Sequence, residues 1–147
     1  MTVESMTQEM KVIVFQLVDK EYAIPVNNVQ SIEKLIHITR VPRVSSYIKG
    51  VINLRGVVTP IVDLRKRFNL EESMYDDRTR IIIVSDKGRE VGLIVDSAND
   101  VLDLSADSIE PQPEVVGSIE TDFISGIAKL ERRLLTLLHL DKVLEEN

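Results

Sequence analysis

The chain contains no cysteine. That excludes a disulfide framework and a cysteine-based zinc site, and it suits a reducing compartment. Tryptophan is also absent, and 147 residues carry three phenylalanines and three tyrosines. A surface that tracks a phosphate backbone needs clustered positive charge and stacking rings. Here the rings are few and the formal net charge is −6. No apolar run is long enough to span a bilayer, and the first residues lack the basic-then-apolar layout of a signal peptide. The bulk numbers predict a cytoplasmic, mildly acidic globular protein. A chain of this size buries roughly 70% of its unfolded surface, enough to fold without disulfides or metal.

Catalytic constellations are missing too. There is no G-x-S-x-G, no phosphate-cradling glycine loop, no histidine-containing triad and no cysteine nucleophile. His37 and His139 have no carboxylate at metal spacing and read as packed strand residues. The acidic run Glu71, Glu72, Asp76 and Asp77 lacks the alternating ligands and central glycine of a calcium loop, so it reads as a solvated connection. The expectation is no catalytic residue, no cofactor, no metal and no enzyme activity.

What the chain does have is a nineteen-residue unit used twice. Gly50 to Phe68 reads G-V-I-N-L-R-G-V-V-T-P-I-V-D-L-R-K-R-F, and Gly126 to Leu144 reads G-I-A-K-L-E-R-R-L-L-T-L-L-H-L-D-K-V-L. Without gaps, Gly50 meets Gly126, Leu54 meets Leu130, Leu64 meets Leu140 and Phe68 meets Leu144. Apolar positions hold while polar turn residues change, so the copies share packing rather than chemistry. Binding is thereby favoured over catalysis.

The rest of the chain repeats in order. Val12 to Val18 and Tyr22 to Val26 predict a hairpin across Asp19-Lys20-Glu21, as do Ile81 to Val84 and Val91 to Val95 across Asp86 to Arg89. Val26, Val29 and Ile32 recur every third residue and predict a brief helical turn, with Ile36 to Ile38 a strand beyond it. Asp96 to Leu102 follows the layout of Asn27 to Ile32, and Pro111 to Pro113 marks a loop. Pro25 and Pro60 lie in strand-like runs and are expected on edges or bulges. Short strands with glycine and proline punctuation suit small barrels better than an open sheet. The predicted class is all-β with short helices: two little barrels packed through apolar faces, ending in a C-terminal helix. The predicted bounds are a tail over 1–9 and one domain over 10–147. Its subdomains cover about 12–70 and 78–147, with strand exchange between them left open.

Within the Gly50 unit, alternation puts Ile52 and Leu54 inside and Val51, Asn53 and Arg55 outside. Gly56 supplies a turn with positive φ. Asp63 is placed to cap a helix starting at Leu64, whose buried face carries Leu64 and Phe68. Arg65, Lys66 and Arg67 are expected to project outward, although cations there oppose the helix dipole. They read either as solvated charge or as a rim for an acidic partner.

The pattern resembles the CheW family of chemotaxis coupling proteins. The likeness is carried by Tyr47-Ile48-Lys49-Gly50-Val51-Ile52-Asn53-Leu54-Arg55-Gly56 and Pro60-Ile61-Val62-Asp63-Leu64-Arg65. Val91 to Asp96 and Asn99 to Leu102 agree as well. It spans about Lys11 to Glu145. The resemblance implies two SH3-like five-stranded barrels without catalytic activity, bridging chemoreceptor tips to the histidine kinase CheA in arrays at the membrane. It implies that Ile13, Val26, Val29 and Ile32 face the kinase regulatory domain. Arg55, Ile81, Gly92 and Val101 would lie in the groove that docks the receptor's helical hairpin. In the family pattern an acidic residue pairs with Arg55 from the position of Ser31, so Glu33 becomes the substitute here.

Blander readings stand beside these. Spacing alone makes Val26, Val29 and Ile32 core residues, and makes Arg55 an exposed strand end. A receiver-bearing relative or a kinase would need room that 147 residues do not give. From another class, a small barrel could bind RNA or single-stranded DNA, which requires basic grooves and exposed rings.

Overall fold

The computed structural model describes residues 9–111 and 121–145. Most of the predicted tail and the Pro111–Pro113 loop beyond Pro111 lie outside them. Among the described residues eleven strands form two sheets. In chain order these are β1 (Glu9–Leu17), β2 (Lys20–Pro25), β3 (Val29–Lys34), β4 (Ile48–Leu54) and β5 (Val57–Asp63), followed by α1 (Leu64–Arg67). Then come β6 (Arg80–Asp86), β7 (Arg89–Val95), β8 (Ser97–Ser105), β9 (Ile109–Glu110), β10 (Ile124–Leu130), β11 (Arg133–Leu138) and α2 (Leu140–Leu144).

The first sheet runs β8-β1-β2-β11-β10-β9 and the second β3-β6-β7-β5-β4. The orders correspond strand for strand, with β9 the extra member. Each sheet also contains one parallel pair, β11 with β2 and β5 with β7, and each pair joins strands from different halves of the chain. The duplicated unit is visible at atomic level. Both copies are hairpins whose register slips beside the aligned glycine, between Ile48 and Gly50 and between Ile124 and Gly126. Each hairpin runs straight into a helix of about one turn.

Alternation along the strands explains the barrels. All six strands of the first sheet send residues into one cluster, including Val12, Val14, Ala23, Leu104, Ala128, Leu135 and Leu137. The second sheet curls likewise around Ile52, Ile61, Ile81, Ile83 and Ile94. Opposite faces of the same strands meet between the barrels, where Ile13, Phe15, Leu17 and Tyr22 pack with Ile82, Val84, Leu93 and Val95. Phe15, Tyr22, Phe68 and Phe123 run through this central cluster with ring centroids 5.8, 6.3 and 5.2 Å apart. Thus β1 and β6 are apolar on both faces and read as near-continuous aliphatic runs.

The hairpin turns obey local chemistry. Val18 and Asp19, Arg55 and Gly56, and Lys87 and Gly88 all have positive φ, the requirement of the two-residue turns that match strand twist. Gly50 is needed for contact: a Cβ there would lie 2.1 Å from the Thr39 carbonyl oxygen. That approach lets Thr39 and Val51 exchange two backbone hydrogen bonds of 2.8 Å.

Several expectations need correction. Val26 to Ile32 is not one helical turn. A 3-10 turn covers Val26–Asn28, and Val29 already begins β3. Val29 pairs with Val84 and Ile32 with Ile82, because the register shifts after Val29. The bulge turns a three-residue spacing into a shared face, imitating helical periodicity. Ile36 to Ile38 is not a strand, and its one ladder contact is the following Thr39 bridge to Val51. His37 and His139 are exposed and outside strands rather than packed. Neither proline lies on an edge strand or at a bulge: Pro25 ends the interior strand β2, and Pro60 stands inside β5. It faces Val51, whose N–H and C=O turn away to Thr39, and β7 pairs only from Ile61 onward.

Candidate functional site: two patches and the joint between barrels

Three of the four residues expected to face a kinase border the central cluster. Ile13 belongs to it at 6% exposure, and Val26 and Val29 pack half-buried against it. Ile32 stands directly opposite the fully buried Ile82 yet is 42% exposed, because β3 is an edge strand. The group therefore grades from core to open surface along one face.

The second group divides. Ile81 and Gly92 are sealed in the second barrel, where a Cβ on Gly92 would come within 2.8 Å of Ile81 Cγ2 and 2.5 Å of Ile61 Cδ1. Arg55 occupies the β4–β5 turn. Its Nη2 lies 3.5 Å from Glu33 Oε2, and Glu33 is directly opposite Ile81. Glu33, the partner expected in place of Ser31, is thus within reach of Arg55. With Arg55's side chain 69% exposed the pair is weak. Val101 belongs to the other sheet, on β8 directly across from Ile13, and is 51% exposed. Residues directly opposite share a face, so the two groups adjoin at this point.

The strongest polar geometry lies where the barrels join. Asp96 is the single residue between β7 of the second barrel and β8 of the first. Arg65 donates to both its carboxylate oxygens, at 2.8 and 2.5 Å, and the Val18 amide adds a bond of 2.9 Å. Burial opposes ionisation of Asp96, but these donors outweigh it and hold the carboxyl below its usual range. Arg65 also donates to the Glu71 carbonyl at 2.6 Å.

Arg67 makes the second joint. It is buried, and its guanidinium donates to the carbonyls of Val143 (2.9 Å), Lys142 (3.1 Å) and Glu145 (2.6 Å) at the end of α2. It lies 4.4 Å from the centroid of Tyr47 and 4.8 Å from that of Phe123. Orphan carbonyls at a helix end attract a cation, which explains the charge that α1 alone disfavours. The expectation of an outward rim is therefore corrected: Arg67 points inward, Arg65 is committed to Asp96, and Lys66 meets Glu72 at 3.6 Å. Sequence reasoning missed these joints, although the unfavourable cations were their signal.

Asp63 caps α1 as expected, accepting the Lys66 amide at 3.3 Å, while its other oxygen accepts the Tyr75 hydroxyl at 2.7 Å. Burial and that carboxylate push the Tyr75 phenol far above its ordinary range, and burial with nearby Asp96 pushes Tyr22 up to about 12. A polar cavity of about 140 Å3 beside the joint is lined by Asp63, Arg65, Tyr75 and Asp96, all already engaged with one another or with backbone. Among the described residues no cluster of histidines and carboxylates could hold a metal. Nucleic-acid binding finds no support either: Phe15, Tyr22, Phe68 and Phe123 are buried, and Tyr47 and Tyr75 half-buried.

Two packed barrels with aliphatic borders and a stapled joint define a scaffold-type architecture. The comparisons agree. The CheW-like domain family matches residues 11–147. The Bacillus subtilis (strain 168) chemotaxis protein CheW is 52% identical over 99% of this chain and 93% of its own length. That of Klebsiella aerogenes is 39% identical over 90% and 80%. The crystal structure of the scaffolding protein TtCheW from Thermoanaerobacter tengcongensis superposes with a TM-score of 0.89 at 36% identity, covering 95% of both chains. The chain belongs to the CheW-like family and is a chemotaxis scaffold.

Proposed function

We propose that this chain couples chemoreceptors to the histidine kinase CheA without catalysing any reaction, recruited to receptor arrays at the membrane. Val26, Val29 and Ile32 form the grip for the kinase regulatory domain, with Ile32 as its exposed anchor and the buried Ile13 as the packing behind them. Arg55 and Val101 meet the receptor's cytoplasmic tip, while Ile81 and Gly92 shape the packed wall behind Arg55. The observation that carries this reading is the graded aliphatic face ending at the open edge of β3.

The mechanism is geometric. A rigid double barrel holds two partners at a fixed separation, and weak contacts gain strength because each added link in an array is effectively intramolecular. Signalling needs only a better fit to one receptor state than to the other.

Purified protein mixed with a receptor cytoplasmic fragment and the kinase should give a ternary species by size-exclusion chromatography at low salt. Ile32→Asp should cost ~1.5–3 kcal/mol of kinase binding and leave the melting temperature within a few degrees. Arg55→Ala should weaken receptor binding and kinase control. Absence of the ternary species, or unchanged kinase affinity in Ile32→Asp, refutes the assignment.

A further inference from the structure

The segment between β3 and β4 closes over a trough of about 760 Å3 that none of the residues assigned to kinase or receptor lines. Its apolar lining includes Ile36 and Val44, each 41% exposed. Around it stand Arg40, Arg43, Lys49 and Lys66, and among the described residues no carboxylate lines it. The chain as a whole carries −6, so this is a local inversion of the protein's charge. Solubility does not explain it, since acidic residues supply that elsewhere.

The four cations are not equally available. Lys49 lies 5.5 Å from the centroid of the Tyr75 ring, and Lys66 meets Glu72. Arg40 and Arg43 are exposed and, among the described residues, their guanidinium groups have no ion-pair or hydrogen-bond partner. The trough is also held open by design. The Thr39–Val51 bridge pins the segment to the edge of β4, and Gly50 permits the close approach. A preorganised apolar channel with unpaired guanidinium groups on its rim complements carboxylates that flank aliphatic side chains.

We propose that this trough docks an acidic, aliphatic-bearing segment of a partner protein, at a third surface separate from the two patches above. The aliphatic side chains enter the channel, and the carboxylates meet Arg40 and Arg43.

Fluorescence anisotropy with a short labelled peptide alternating glutamate and leucine tests this. Binding should appear at low salt and weaken as salt rises. The double variant Arg40→Glu/Arg43→Glu should bind at least about tenfold more weakly, with Tm unchanged because both side chains are exposed and unpaired. Val44→Asn should weaken binding severalfold, while Arg132→Glu on the distant β10–β11 turn should leave it unaltered. Several results overturn the proposal: no binding of the peptide, equal binding of a lysine–leucine counterpart, or an affinity indifferent to the double reversal. So does capture of phosphatidylglycerol vesicles or an oligothymidylate through the same arginines in place of the peptide. A lost ternary species with intact peptide binding would refute the coupling reading alone.

Discussion

Replacing Arg67 by alanine tests whether the barrels are stapled through α2. The side chain is 7% exposed and spends its guanidinium on three carbonyls within 3.1 Å. Hydrogen bonds from a charged donor contribute roughly 1.5–3 kcal/mol, and each aromatic face adds about 0.5–1 kcal/mol. Against this, alanine removes the desolvation cost of the charge, and the freed carbonyls at the end of α2 recover some water. The net loss should be about 2–4 kcal/mol, read as a fall in Tm of roughly 5–15 °C for a domain of this size. Urea unfolding at 25 °C should show a lower midpoint with an unchanged slope. Amide exchange should speed up more in α2 than in the buried ladder of β6 and β7. Arg67→Lys should recover less than half of the loss, because a point charge cannot span carbonyls on three residues. A cost below about 0.5 kcal/mol, typical of a surface substitution, would show that Arg67 is an ordinary exposed cation and that the joint rests on apolar packing alone.

Gly92→Ala should destabilise by about 1–3 kcal/mol through overpacking, since its Cβ would meet Ile61 Cδ1 at 2.5 Å. Adding Ile61→Val, which removes that methyl, should restore part of the midpoint in urea, and no recovery would disprove the clash. The Asp96 carboxyl is held below its usual range by Arg65 and the Val18 amide. Its contribution to stability is therefore full above the unfolded value of about 3.9 and disappears as pH falls through the lower folded value. Asp96→Asn should be clearly less stable than wild type at pH 7, with the gap narrowing below about pH 4. A gap that does not change with pH would remove the ion pair from the explanation.

Much of the architecture is local and therefore legible. The glycine-anchored unit repeats because both copies need a bulged hairpin entering a short helix. Asp63 reads as a cap because a carboxylate before an apolar helix has an obvious donor to satisfy. Ile52 and Leu54 read as interior because strands alternate. The same local logic failed where a bulge disguised an edge strand as a helical turn, at Val29 to Ile32. It failed again where solvent was taken as the default neighbour of a cation, at Arg65 and Arg67.

By itself the sequence determined the alternation of faces, the positive-φ turns and the duplicated unit, because each depends on residues a few positions apart. The tertiary structure alone decided the rest: that β2 runs parallel to β11 and β5 to β7, that Asp96 faces Arg65, and that the end of α2 closes on Arg67. Those partners lie dozens of residues apart. An apolar strand or a charged side chain states what kind of neighbour it needs, but chain topology chooses which one it meets.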